Sequence, residues 1–352
     1  MINKGTDRKS EKQTSCFREK IARRNILRKS KEIEGIKVKG YDFNKGIDYE
    51  KILDNYGSLG LQATNFHSAV SIINEMISLK SFIYLGYTSN IITSGLRDII
   101  RFLAEHKMIN VIVTSAGGIE EDLIKCLGDF IVGDFKASGK DLREKGINRA
   151  GNIFIPNSRY CSFESFIIPI FERLWAEQKK TGKIITPSEL IWELGKEINN
   201  EESVYYHCYK NRIPVFCPAI TDGSLGDMIY FFKSKHPGFK IDVAEDIWKI
   251  NNTSIGLRKS GIIILGEGFV KHHICNTNMF RNGADYAVYI NTSPEYDGSD
   301  SGALPEEAVS WGKILPKARR IKIFSEASLV FPLIVAKTFA KNSVLNLNTL
   351  KI

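Results

Sequence analysis

The sequence predicts an α/β protein with a doubly wound, mainly parallel sheet covered by helices on both faces. Two observations carry that reading. Short runs rich in Ile, Val, Phe and Tyr recur along the chain at 82–86, 110–114, 152–155, 213–217, 261–265, 285–290 and 321–324. Between them lie longer amphipathic stretches at 93–106, 118–127, 163–178, 187–199, 225–235, 243–250 and 327–341. Strands buried on both faces read as continuous apolar runs, and the alternation with helices implies crossover units rather than hairpins. A third observation bounds the fold: no Pro/Gly-rich linker or repeat interrupts the pattern, so 36–352 reads as one domain behind a tail at 1–35.

The tail, disordered or partly helical, carries the charge. Of the formal net charge of +9, residues 1–34 hold +6, which leaves +3 on the rest. A basic tail on a near-neutral body does not make a nucleic-acid-binding domain. No apolar run reaches the roughly 18 residues of a membrane span, and the N-terminus lacks the apolar region of a secretory signal. Six scattered cysteines, with no C-x-x-C and no metal spacing, fit reduced thiols in a cytoplasmic protein. After the tail, 61–80 places Phe66, Val70, Ile73 and Met76 at helical spacing.

In such a sheet, ligands bind beyond the carboxyl ends of the strands, near a switch point. The segments there are small and polar. They are Thr88-Ser89-Asn90, Ser115-Ala116-Gly117-Gly118, Thr221-Asp222-Gly223-Ser224, Gly266-Glu267-Gly268, Asn291-Thr292-Ser293 and Ser325-Glu326-Ala327. The glycines after Ser115 suit either a tight turn or the approach of a diphosphate to a helix N-terminus. Glu120, Glu121 and Asp122 would repel that charge, so they cap the turn or face a cation. Gly266-Glu267-Gly268 begins a G-x-G-x-x-G pattern, but position 271 is Lys. Asp222 and Asp227 flank a helix start, as an N-cap or as an acidic wall facing an ammonium group. His272 and His273 are ordinary polar positions, or one serves as a general base. Metal ligation does not fit, because adjacent histidines point apart and no third ligand is evident.

Lys313 is a surface lysine or a Schiff-base nucleophile. The second reading rests on Trp311 beside it and on two acidic clusters upstream, Asp297–Asp300 and Glu306-Glu307. Such a nucleophile must be neutral, and nearby carboxylates oppose that unless a dicationic substrate neutralises them.

Stretches such as GYDFNKGIDY, LGYTSNIITSG, TSAGGIEEDLIKCL, IPVFCPAITDGSLGDMIYF, VKHHICNTN, MFRNGADYAVYINT, EYDGSDSGALPEEAVSWGKI and ASLVFPLIVAKTFA follow in one order over about 40–340. Together they resemble the deoxyhypusine synthase family. The resemblance implies a Rossmann-like fold, a homotetramer with active sites shared across dimer interfaces, and NAD as cofactor. NAD oxidises spermidine while His272 takes a proton, and Lys313 holds the 4-aminobutyl group as an imine. The group passes to one lysine of the eukaryotic translation initiation factor 5A precursor, and the new imine is reduced. By match to the family pattern, Ser89, Asn90, Ile91, Ile92, Thr93, Ser115, Ala116, Gly117, Glu121, Asp222, Thr292, Ser293, Glu326 and Ala327 line the NAD site. Glu120, Glu121, Asp227, His272, Gly298, Ser299, Asp300, Ser301, Glu307, Trp311 and Lys313 line the spermidine site. Two positions depart from the family: Glu267 stands where it has glycine, and Glu326 where it has aspartate. Residues 1–35 show no likeness to the family's N-terminal segment. Alternative readings are a homospermidine synthase, with putrescine as acceptor, and a non-catalytic subunit that activates a paralogue.

Overall fold

The structure, a computed structural model, describes residues 7–342 apart from 267. It divides into two compact units, Met1–Lys39 and Gly40–Ile352. The first contains one helix, Asp7–Ile26, whose described side chains are exposed.

Among the described residues, the second unit is built on nine strands. They are β1 Phe82–Tyr87, β2 Val111–Thr114, β3 Ile131–Val132, β4 Ile147–Ala150, β5 Ile153–Pro156, β6 Val215–Phe216, β7 Ser260–Leu265, β8 Ala284–Asn291 and β9 Ile314–Phe324. Six form one sheet in the order β6-β2-β1-β7-β8-β9, every neighbouring pair parallel. Numbered among themselves in chain order, these strands run 3-2-1-4-5-6, the doubly wound order whose direction reverses at the first strand. The switch point therefore lies between β1 and β7.

Period-two alternation divides the core between the sheet's two faces. Ile83, Leu85, Ile263, Leu265, Val288 and Ile290 face one core, and Tyr84, Ile262, Ile264, Ala287 and Tyr289 face the other. The helices Leu61–Ser78, Leu96–Glu105, Ala116–Leu127 and Ala327–Val335 cover the first face through Ile73, Ile100, Ile119 and Phe331. Val243–Ser254 and Phe269–Met279 cover the second through Ile250 and Ile274. Local rules fix the ends: Thr186 and Glu189 form a capping box at the start of Pro187–Ile198, with Pro187 in the first turn.

One expected strand belongs elsewhere. The run at 152–155 is β5, the centre of a small antiparallel sheet β3-β5-β4 outside the main one. An apolar run marks a buried strand without saying which sheet it joins. Among the described residues, no helix is long and apolar enough to cross a membrane.

Candidate active site at the carboxyl edge

Two cavities open among the residues singled out above. The first, of about 400 Å³, lies at the switch point and is lined by Thr88, Asn90, Ile91, Gly266, Asn291, Thr292, Glu326 and Ala327, among others. Two polar atoms at this edge, Ser115 Oγ and Asn291 Nδ2, are buried without a hydrogen-bond partner. Orphaned groups of this kind are costly unless something binds them. Glu326 caps Ala327–Val335, its Oε2 accepting from the Ser328 N–H at 2.9 Å and from the Ser328 hydroxyl. Glu267 lies outside the described residues.

Of the other residues expected here, Ile92 and Ala116 are fully buried. They offer main chain rather than side chain, and the Ile92 carbonyl already accepts from Lys125 Nζ at 2.6 Å. Ser89 packs against Gly117, where an added Cβ would stand 2.6 Å from the serine Cβ. Ser293 is half-buried, its backbone N–H donating to Asn291 Oδ1 at 3.2 Å.

The second cavity, of about 320 Å³, holds the reactive candidates. It is lined by Lys271, His272, Cys275, Tyr289, Gly298, Asp300, Glu307, Trp311 and Lys313, among others. Lys313 is only 9% exposed. Its main chain is pinned between the short helix Pro305–Ser310 and β8: its N–H donates to the Ala308 carbonyl and its own carbonyl accepts from Ala284, both at 3.0 Å. The Nζ lies 5.4 Å from the centre of the Trp311 ring, which is itself 64% exposed. The surface reading of this lysine is thereby excluded, and a mostly buried amine beside an open aromatic face takes its place. Ser299 and Ser301 belong to the same loop, where the Ser299 N–H donates to Asp297 Oδ1 at 2.8 Å.

The two histidines separate. Burial and the neighbouring His272 hold the His273 imidazole down at about 4, so it stays neutral. His272 faces the cavity, and the Asn276 amide donates to its Nδ1 at 3.2 Å. In that arrangement the neutral ring carries its proton on Nε2. For Nε2 to accept a proton, the Asn276 amide must turn over so that its oxygen takes an Nδ1 proton.

The acidic residues divide into two sets. Asp300 and Glu307 line the lysine cavity, whereas Glu120, Glu121 and Asp227 do not. Glu120 reaches the helix Ser224–Lys235, accepting from Ser224 N–H at 3.0 Å and Leu225 N–H at 2.6 Å. Neither Asp222 nor Asp227 caps that helix. Its N-cap is Gly223, at φ +141°, and a Cβ there would stand 2.8 Å from a Glu120 oxygen. Burial raises the Glu120 carboxyl against these two N–H donors, with Asp227 and Asp222 raising it further. Glu121 accepts from the Thr93 hydroxyl, yet burial pushes its carboxyl up to about 7. Asp122 does face a cation: its Oδ1 lies 2.7 Å from Arg97 Nε, and its Oδ2 accepts from Ser203 Oγ at 2.6 Å. That pair is a structural tie, and sequence spacing alone did not separate it from its acidic neighbours.

A doubly wound Rossmann-type sheet, with one cavity at its switch point and another that holds a mostly buried lysine, defines the class. Comparison with known proteins then narrows it. Residues 51–338 match the deoxyhypusine synthase family model. The chain is 52% identical to the deoxyhypusine synthase of Senecio vernalis over 343 residues, covering 90% of this chain and 92% of the relative. It is 50% identical to homospermidine synthase 2 of the same plant over 347 residues, covering 91% and 94%. A solved structure from Entamoeba histolytica, carrying the same family name, superposes with a TM-score of 0.61 at 35% identity, covering 86% of this chain and 97% of that one. The chain belongs to the deoxyhypusine synthase family, and its relatives imply a transferase.

Proposed function

We propose that the protein transfers the 4-aminobutyl group of spermidine, through an imine on Lys313, to a lysine of the eukaryotic translation initiation factor 5A precursor. One observation carries the reading: the 9%-exposed Lys313 amine shares a cavity with His272, Trp311, Asp300 and Glu307. NAD, held at the switch point, would supply the acceptor and later the donor of a hydride. The unpartnered Ser115 Oγ and Asn291 Nδ2, with the Asn90, Thr292 and Glu326 side chains, are the groups that would hold it.

The chain's own residues then have distinct tasks. Asp300 and Glu307 pair with ammonium groups of the polyamine, while Trp311 covers methylenes and stabilises a nearby cation through its π-face. His272 takes a proton from the reacting carbon–nitrogen unit. The Lys313 amine adds at the oxidised carbon and 1,3-diaminopropane leaves, so one C–N bond forms as another breaks. Glu120, Glu121 and Asp227 belong to the same site through a second copy of the chain, in a homotetramer. The support is that none of the three lines the Lys313 cavity of its own chain, Glu120 instead accepting from the start of Ser224–Lys235.

A second reading keeps the donor half and takes putrescine as acceptor. The near-equal identity to a deoxyhypusine synthase and a homospermidine synthase of one plant favours keeping it open. Incubating the purified chain with spermidine and NAD, with either acceptor present, tests both. Aminobutyl mass on the precursor protein supports the first reading, and homospermidine alone the second. No turnover by the chain alone, with turnover after a second chain is added, would favour the activating-subunit reading.

A further inference from the structure

Two buried lysines are given no chemical step above, although Lys271 also lines the Lys313 cavity, and both reach into the same loop. Lys271, 3% exposed, donates to the carbonyls of Ser301 at 3.2 Å and Ala303 at 3.1 Å. Lys322, 8% exposed, donates to the carbonyls of Ser293 at 2.6 Å and Gly302 at 2.7 Å. The loop runs from the end of β8 to the helix Pro305–Ser310 without regular structure, so its own backbone ladder does not hold it. It is nonetheless folded tightly on itself: a Cβ added at Gly302 would collide with the Pro294 carbonyl. Aromatic rings hold the lysines in turn, Tyr289 lying 5.3 Å from Lys271 Nζ and Phe324 5.9 Å from Lys322 Nζ.

The anchoring points are specific. Lys271 precedes His272 on the helix Phe269–Met279, and Lys322 lies on β9, the strand that Lys313 leads into. One clamp therefore registers the loop against the histidine, and the other against the strand of the lysine. Between them the loop carries Gly298 and Asp300 into the cavity.

We propose that Lys322 and Lys271 are positioning residues: together they fix the loop at 293–303 so that Asp300 meets the substrate in register with His272 and Lys313. Neither is asked to touch the reacting atoms. Hydrogen bonds from a charged donor are stronger than neutral ones, and four carbonyls held by two ammonium groups immobilise a loop that would otherwise sample many arrangements.

The inference rests on the spermidine reading for its kinetic consequence but not for its structural one. Backbone hydrogen exchange across 293–303 would be compared in the wild type, Lys322→Met and Lys322→Arg, alongside steady-state kinetics with spermidine. Lys322→Met is expected to speed exchange in that loop at least about tenfold, the worth of one charged hydrogen bond, with β1 and β7 unchanged. It should raise the KM for spermidine by a similar factor with a smaller change in kcat, and Lys322→Arg should recover part of both. If Lys322→Met does not fold, Lys271→Met carries the same expectations. Unchanged loop exchange in the folded variants would overturn the proposal, as would faster exchange with the KM for spermidine unmoved. Wild-type protein that never turns over spermidine would sink the functional reading and leave the exchange comparison standing.

Discussion

Glu121→Gln should make the protein more stable and less able to do its work. Burial raises this carboxyl from 4.5 to about 7, and the Thr93 hydroxyl and Lys125 only partly offset it. A shift of that size corresponds to about 3 kcal/mol at 1.36 kcal/mol per pKa unit. Its direction sets the pH window. A folded-state pKa above the unfolded value means the folded protein binds the proton more tightly. The group's favourable contribution is present below 4.5 and is lost as pH rises through 7. Glutamine keeps an oxygen to accept from Thr93 and cannot ionise. At pH 8 the variant should therefore melt higher, by about 5 °C when an unfolding entropy of ~2.1 cal/mol/K per residue is summed over a domain this long. At pH 5 most of that gain should vanish. The new amide N–H subtracts a pH-independent amount if it finds no partner, so the pH slope is the sharper readout. Differential scanning of both proteins at one concentration, without ligand, from pH 5 to 8 measures it. A melting difference constant across that range would refute the reasoning. On the proposed function, the same variant should bind NAD more weakly.

Lys313→Ala should abolish the borohydride-trapped adduct formed with spermidine and NAD while leaving NAD affinity nearly intact; adduct mass on another lysine in the wild type would move the nucleophile. Glu307→Ala or Asp227→Ala should weaken spermidine binding by on the order of 2–5 kcal/mol, since each leaves a desolvated ammonium unpaired, as read by titration calorimetry. If sites are shared between copies, mixing inactive Asp227→Ala with inactive Lys313→Ala and allowing subunits to exchange should restore activity, whereas sites confined to one chain would stay dead. Asp122→Ala should cost about 3–5 kcal/mol of stability because it removes the close partner of the buried Arg97 charge and leaves the exposed Glu202 at 4.0 Å, visible as a lowered denaturation midpoint at every pH from 5 to 8.

How much of this was legible depended on whether the controlling interaction was local. The interior strands were, because β1, β7 and β8 are buried on both faces and read as unbroken apolar runs. β9 was legible only over its last residues. Its first half, Leu315-Pro316-Lys317-Ala318-Arg319-Arg320, is polar and carries a proline, as suits the edge strand it is, and its register against β8 shifts between Ala284 and Tyr286. β3 was invisible because two residues, Ile131 and Val132, are too short a run to show a period. The helix Val204–Asn211 was missed as well, since its aromatic side chains pack by tertiary contact, with the Tyr205 hydroxyl donating to the Gly118 carbonyl at 2.7 Å. In the site, the motif positions were readable and their grouping was not. Nothing in the spacing of Glu120 indicates that it caps a helix more than a hundred residues later, or that Asp122 alone meets an arginine.

That division of the carboxylates has an electrostatic consequence. Among the described residues, neither Glu120 nor Glu121 forms an ion pair, and Asp222 and Asp227 make the surroundings of Glu120 more negative still. The lysine cavity is the opposite case. There Asp300 and Glu307 sit with Lys271, whose ammonium is pushed down by burial and supported by those same carboxylates. Among the described residues the first set therefore has no ion-paired cation, Lys125 acting on Glu121 only through its field, whereas the second shares its cavity with Lys271 and Lys313. On the proposed function, a linear triamine reaching from the second set towards the first of a neighbouring copy would neutralise the carboxylates of both. On the proposed function, substrate binding should therefore lower the Glu121 carboxyl from about 7 and release protons below about pH 7, the release fading as the pH rises above it. Calorimetric titrations of spermidine in buffers of different ionisation enthalpy read that release directly, and heats independent of the buffer would place Glu121 outside the substrate's reach.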